Sequence, residues 1–167
     1  ATYYVKIDMV YSVEVPIHYT LYITQWFVQN DAGSGGDAGN DFSTATLLGG
    51  MGEYVGFVES DGDCYDYYAI TLYENHVYWI NASADHDLSL YIYDSAQNTV
   101  DYTYDSTSCH LMYAVGYGDT GTYYIRVGEY NDNYDYYTLT ITDWFVQNDA
   151  ESGRDAGAEY STAVTVT

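Results

Sequence analysis

Basic residues are almost missing from this 167-residue chain: three Lys and Arg together stand against 25 Asp and Glu, a net charge of −22. Phosphate recognition needs clustered Lys and Arg, so nucleic acid and anionic membrane surfaces are excluded as direct partners. No run of 18 apolar residues occurs, which excludes a transmembrane helix and argues against membrane insertion, and no basic-plus-apolar leader precedes the first strand-like segment. The chain opens at Ala1 rather than Met, as expected of a processed, exported protein at the cell surface or outside it. Cysteine is limited to Cys64 and Cys109, compatible with one disulfide in an oxidising compartment or with two buried free thiols. The four histidines, His18, His76, His86 and His110, lack metal-site spacing such as H-x-x-x-H, and His86 reads as a strand-start residue beside the solvated carboxylates of Asp85 and Asp87. A nucleophile elbow, a phosphate loop and a zinc motif are all missing, and carboxylates are too abundant for a glycosidase pair to stand out. No catalytic residue is assigned, and the chain is expected not to be an enzyme.

What is abundant is tyrosine, 24 residues against 4 Phe and 3 Trp, within a hydrophobic content of 47%. That content separates the chain from a disordered acidic tail. Tyr joins apolar area to a hydroxyl and suits half-wet sheet faces and contact surfaces. With so few cations in the chain, most carboxylates must be solvated, screened by salt or bound to a metal ion. Asn81-Ala82-Ser83 is the single N-x-S/T sequon, a candidate glycosylation site at Asn81.

An internal repeat dominates the sequence. Trp26-Phe27-Val28-Gln29-Asn30-Asp31-Ala32 recurs 118 residues later as Trp144-Phe145-Val146-Gln147-Asn148-Asp149-Ala150. Asp37-Ala38-Gly39 is repeated as Asp155-Ala156-Gly157, Phe42-Ser43-Thr44-Ala45 as Tyr160-Ser161-Thr162-Ala163, and Thr20-Leu21-Tyr22-Ile23-Thr24 as Thr138-Leu139-Thr140-Ile141-Thr142. Thr2 to Ile7 matches Thr122 to Val127, Lys6 falling on Arg126. The chain thus divides into the end of one unit (1–24), an acidic Gly-rich linker (25–40), one whole unit (41–142), a second linker (143–157) and the start of another unit (158–167).

No segment sustains a 3.6-residue apolar period, whereas period-2 alternation recurs. Leu88, Leu90 and Ile92 alternate with Ser89, Tyr91 and Tyr93; Tyr137, Leu139 and Ile141 alternate with Tyr136, Thr138 and Thr140. Further strands are expected at 52–58, 66–73, 76–82, 110–115 and 121–127, with turns at Asp61-Gly62, Glu74-Asn75, Gly118-Asp119 and Asn131-Asp132. Short strands at this spacing predict an all-β fold, an antiparallel jelly-roll-like β-sandwich. Segments 1–7 and 17–24 read as an extra N-terminal hairpin, with Tyr3, Val5 and Ile7 facing Tyr19, Leu21 and Ile23. The tail 158–167 reads as a donor strand with Tyr160, Thr162, Val164 and Val166 on one face. An isolated strand is not stable in water, so it must pair with its own body or with another molecule. Many tyrosines fall opposite the aliphatic residues, which places them on outer faces.

Residues 41–142 resemble the bacterial and archaeal pre-peptidase C-terminal domain, a secreted β-sandwich related to the collagen-binding domain of clostridial collagenases. The resemblance rests on Asp63-Cys64-Tyr65-Asp66-Tyr67-Tyr68, on the run Asp85-His86-Asp87-Leu88 to Asp94, on Gly121-Thr122-Tyr123-Tyr124-Ile125-Arg126-Val127, and on the closing run Tyr134 to Ile141. It implies a non-catalytic module. It also implies that the acidic linker and the D-x-x-D-Y-Y strand start bind Ca²⁺ together, which maps onto Asn30, Asp31 and Asp37 with Asp63 and Asp66. Ca²⁺ takes six to eight oxygen ligands, which Asp, Asn and Gly-rich backbone supply. The alternative is a solvated flexible linker. By the repeat, Asp149 and Asp155 form a second such joint, where Glu151 and Arg154 are expected to weaken binding. Taken together, the sequence predicts a subunit that assembles with copies of itself into an extracellular filament by strand exchange, with Ca²⁺ at the joints and glycans on the surface. A secreted module for carbohydrate or matrix, from a tandem array, is the second reading.

Overall fold

The computed structural model describes residues 4–8, 18–25, 28–60, 62–131, 134–156 and 163–165. Seven strands follow one another: β1 (Thr46–Leu47), β2 (Gly52–Glu59), β3 (Tyr65–Leu72), β4 (His76–Tyr93), β5 (Thr99–Ala114), β6 (Gly121–Glu129) and β7 (Tyr134–Val146). Among the described residues no helix is long and apolar enough to cross a membrane. Three of the expected turns place Asn75, Gly118 and Asn131 at positive φ, a region that Asn and Gly enter at low cost. Asp61 and Asp132 lie outside the described residues.

β4 organises the molecule. The sequence predicts separate strands at 76–82 and 87–93, and the structure joins them across a register shift between Ser83 and Leu88. Tyr78, Ile80 and Ala82 and then Leu88, Leu90 and Ile92 all turn inward and are fully buried. β5 runs beside β4 along both halves, so β6 and β7 share the other edge: β7 pairs with residues 76–83 and β6 with residues 88–93. There the sheet forks into two layers, β1-β3-β6 and β2-β7, each continuous with β4. The core fills the space between them with Ile70 and Leu72 of β3, Ile125 and Val127 of β6, and Leu139 and Ile141 of β7. This is an all-β sandwich with one parallel pairing, β1 on β3.

The tyrosines divide between inside and outside. Tyr68, Tyr78 and Tyr137 are among the largest fully buried side chains, so the outer-face expectation holds for only part of the set. Outside, Tyr91 stacks on Tyr102 at 5.1 Å, Tyr102 on Tyr104 at 5.9 Å, and Tyr104 tilts against Tyr130 at 5.6 Å. Arg126 lies between Tyr65 and Tyr91, its guanidinium 4.5 and 4.0 Å from the two ring centroids.

The expected disulfide between Cys64 and Cys109 is corrected: the two cysteines are not bonded to each other. Cys109 faces the core with Sγ 3.2 Å from the Leu88 carbonyl, whereas Cys64 precedes β3 with Sγ 3.1 Å from the Ser60 carbonyl. Each sulfur is directed at a backbone oxygen of its own neighbourhood, not at the other cysteine.

Residues 4–8 and 18–25 are exposed and have no strand pairing; the rest of the expected hairpin, 1–3 and 9–17, lies outside the described residues. Tyr160, Thr162 and Val166 also lie outside them, while Val164 is described, half-buried and without a strand partner.

Candidate metal centre

The first linker is a built loop. Asp31 opens a short 3-10 turn, Asp31–Gly33, in which Ala32 takes a left-handed φ of 51°. The Asn30 side-chain oxygen accepts the Gly35 N–H at 2.7 Å, and the Asp31 N–H donates to the Gly36 carbonyl at 2.9 Å. These bonds turn the Asp31 side chain inward, where it is 2% exposed. Its Oδ1 accepts the Phe57 N–H of β2 at 3.1 Å and its Oδ2 accepts the Ala38 N–H at 3.1 Å. Gln29 donates to the Asp63 carboxylate. The loop is therefore fastened to β2 and to the β2–β3 connection, which disposes of the solvated-linker alternative for Asp31.

Asp31, Asp37 and Asp66 bring carboxylate oxygens within 4.8 Å of one another. Asp63 adds a fourth charge beside them, repelled by Asp37 and Asp31. Burial, reinforced by these like charges, pushes Asp31 up to about 6, Asp63 to about 7 and Asp66 to about 9. Asp66 is fully buried. Its Oδ2 accepts from the Tyr137 hydroxyl, which in turn lies 2.5 Å from the Tyr68 hydroxyl. The Tyr137 ring reaches this position by crossing Gly56, its partner on β2: a Cβ there would lie 2.3 Å from the Tyr137 oxygen. Oδ1 of Asp63 and Oδ1 of Asp66 are buried and have no hydrogen-bond partner among the described residues.

Two orphaned carboxylate oxygens beside two further carboxylates are a costly arrangement unless a cation joins them. The donors are all hard oxygens, which suits Ca²⁺ rather than Zn²⁺ or Cu²⁺. A bound Ca²⁺ would supply the missing positive charge and tie the linker to β3; Asp31, Asp37, Asp63 and Asp66 are the residues that would hold it. Asn30 instead spends its side-chain oxygen within the loop.

The second joint has the same local shape in a different setting. Asp149 opens a 3-10 turn, Asp149–Glu151, with Ala150 at φ 50°; the Asn148 side chain accepts the Gly153 N–H at 2.5 Å, and Asp149 Oδ2 accepts the Ala156 N–H at 3.0 Å. Unlike Asp31, Asp149 is exposed. Among the described residues, no third acidic, His or Cys side chain joins Asp149 and Asp155 in a cluster. Glu151 stands where the first loop has Gly33, and both adopt positive φ.

Sequence reasoning missed Gln29, Gly56, Tyr68 and Tyr137, which orient or crowd the carboxylates. The available signal was the repetition of Gln29 as Gln147 directly before the repeated Asn-Asp pair.

Comparison with protein-family models and with curated proteins gives no match. Among solved structures, the chain is similar to the pre-peptidase C-terminal domain of a collagenase from Bacillus anthracis, with 17% identity and a TM-score of 0.50 over 58% of this chain and 93% of that one. A periplasmic inhibitor of g-type lysozyme from Aeromonas hydrophila, PliG, aligns over the same shares with 12% identity and a TM-score of 0.39. The first likeness concerns the fold alone: the body of this chain folds as a β-sandwich similar to that domain.

Proposed function

We propose that the chain is a non-catalytic structural subunit that assembles with copies of itself into an extracellular filament by strand exchange, with Ca²⁺ at the joint of Asp31, Asp37, Asp63 and Asp66. One observation carries this reading. Ile125, Leu139 and Ile141 are 0–1% exposed in the body, while their repeat counterparts Val5, Leu21 and Ile23 are 61%, 49% and 75% exposed. The same pattern that fills a core in one unit therefore stands uncovered in the other, and an apolar set of this kind marks an interaction surface. β6 and β7 face each other across the core rather than pairing edge to edge, so the N-terminal segments need strands from elsewhere to complete a sandwich.

A receiving edge is also available. β5 pairs with β4 and, among the described residues, with no other strand, which leaves a 16-residue strand with one unpaired edge. Edges of this length accept added strands, backbone bonds supplying affinity and alternate side chains register. A head-to-tail contact of this type propagates as an open fibre unless it closes into a ring.

Electron microscopy and sedimentation of the purified chain with Ca²⁺ test the reading. Fibres are expected, and Leu21→Asp with Ile23→Asp should abolish them while leaving the body folded, since both positions are exposed. A chain that stays monomeric with Ca²⁺ after refolding overturns it. The second reading, a binding module, is favoured by a hollow on the outer face of the β3-β6-β4-β5 layer. Ser89 lines it between Tyr65 and Tyr104, the three standing in register with Gly128 across four strands, and Arg126 and Glu129 line it as well. Binding of soluble polysaccharide by a strictly monomeric chain would favour that module.

A further inference from the structure

The outer face of the other layer gives the Asn81 sequon a defined structural setting. In β4 the inward residues Tyr78, Ile80 and Ala82 leave Trp79, Asn81 and Ser83 outward, so the whole N-x-S sequon and the tryptophan before it share one face. Trp79 is 36% exposed and lies flat against His110 of β5, with centroids 5.0 Å apart and planes 12° apart; Trp144 of β7 meets it edge-on at 6.1 Å. This fixes the indole as a shelf beside Asn81. Asn81 itself sits between Thr140 of β7 and His110 of β5 and is half-buried. Its Oδ1 accepts the Ser108 hydroxyl at 3.2 Å, while no described residue accepts from its Nδ2. The amide is thereby oriented with the nitrogen uncommitted.

We propose that Asn81 carries an N-linked oligosaccharide whose first sugar lies on the indole of Trp79. The donor is an oligosaccharide on a lipid phosphate. The bond from the anomeric carbon to the phosphate oxygen breaks, the phosphate leaves with the electron pair, and Nδ2 forms the C–N bond and gives up one proton. In a strand, the side chain two residues earlier stands beside the modified one, so the apolar face of a pyranose at Asn81 meets Trp79 without any backbone change. Neutral sugar on this face also fits a chain whose net charge is −22, where hydration without further charge keeps a flat aromatic sheet surface soluble.

The test is glycopeptide mass spectrometry on the protein isolated from its natural source. The peptide containing Asn81 is expected to carry a saccharide mass at near-complete occupancy, lost in Ser83→Ala, which destroys the sequon and leaves Asn81 in place. An unmodified Asn81 peptide from native material overturns the proposal. Contact with the indole has its own readout: glycosylated protein should melt several degrees above the deglycosylated form, and Trp79→Ala should remove that difference while the sugar remains attached. A difference that survives Trp79→Ala refutes the shelf.

Discussion

The hydroxyl of Tyr137 donates to Oδ2 of Asp66, whose carboxylate lies beside Asp31 and Asp37, and among the described residues its buried Oδ1 has no hydrogen-bond partner. The tyrosine thus holds one oxygen of the carboxylate in place. Asp66→Asn keeps an acceptor for Tyr137 and removes the charge. For a site occupied at 100 times Kd, ligation stabilises the fold by about 2.7 kcal/mol, or roughly 5–10 °C in a chain of this size. Calorimetry should find such a Ca²⁺-dependent rise in the parent chain and little of it in Asp66→Asn. An equal rise in both removes Asp66 from the site.

Asp31, Asp63 and Asp66 are held at about 6, 7 and 9, against an ordinary value of 3.8. A raised folded value means that folding favours the protonated form, so the stability from these groups is complete below about pH 4 and drains away as the pH climbs through 6, 7 and 9. Asp41 and Asp94, lowered by local hydrogen bonds, act in the opposite sense only at more acidic pH. In chelator, the melting temperature should therefore fall between pH 5 and pH 9. Saturating Ca²⁺ should flatten or reverse that slope, because the cation prefers the ionised form. A rising melting temperature in chelator over the same interval contradicts the burial argument.

Gly56→Ala would place a methyl group 2.3 Å from the Tyr137 oxygen. The ring cannot stay where it is, and overpacking of this kind costs about 1–3 kcal/mol. Urea unfolding should show that loss together with weaker Ca²⁺ binding, since Tyr137 orients Asp66. Full retention of both would show that the ring has room to retreat.

Glu151 holds a left-handed φ of 57° at the position where the first loop has Gly33. Glu151→Gly should relieve about 1 kcal/mol of backbone strain. The readout is slower hydrogen exchange at Gly153, whose N–H is bonded to the Asn148 side chain. Unchanged exchange would mean that the strain is not felt in that loop.

With no disulfide between Cys64 and Cys109, intact masses should be identical before and after reduction and the melting temperature indifferent to reductant. Alkylation of the folded chain should reach half-buried Cys64 well before Cys109.

The strands were legible because one face of each is buried: Leu88, Leu90 and Ile92 announce themselves by period two, and so do Leu139 and Ile141. The first half of β5 was not, because residues 99–108 alternate Tyr and Val with Asp, Thr and Ser and offer no fully buried apolar row. Joining 76–82 to 87–93 was hidden by the polar run Asp85-His86-Asp87, which reads as the start of a new strand yet lies inside one continuous strand. At the site, Asp31, Asp37, Asp63 and Asp66 followed from family motifs, but Tyr137 and Gly56 come from the far end of the chain and from β2. Only the pairing of those strands reveals their meeting. The cysteines misled because two thiols in an acidic chain carry no information on distance.

The fork at β4 also governs the order in which the molecule can close. β3 pairs with β6, β2 pairs with β7, and β4 receives both. Of the strand pairings among the described residues, only β4–β5 and the short β1–β3 contact can form until residues 121–146 are in place. β6 and β7 are the keystone, and the sheet before them waits open. Such non-local closure is slow, and a truncation after β5 would leave no smaller sandwich behind.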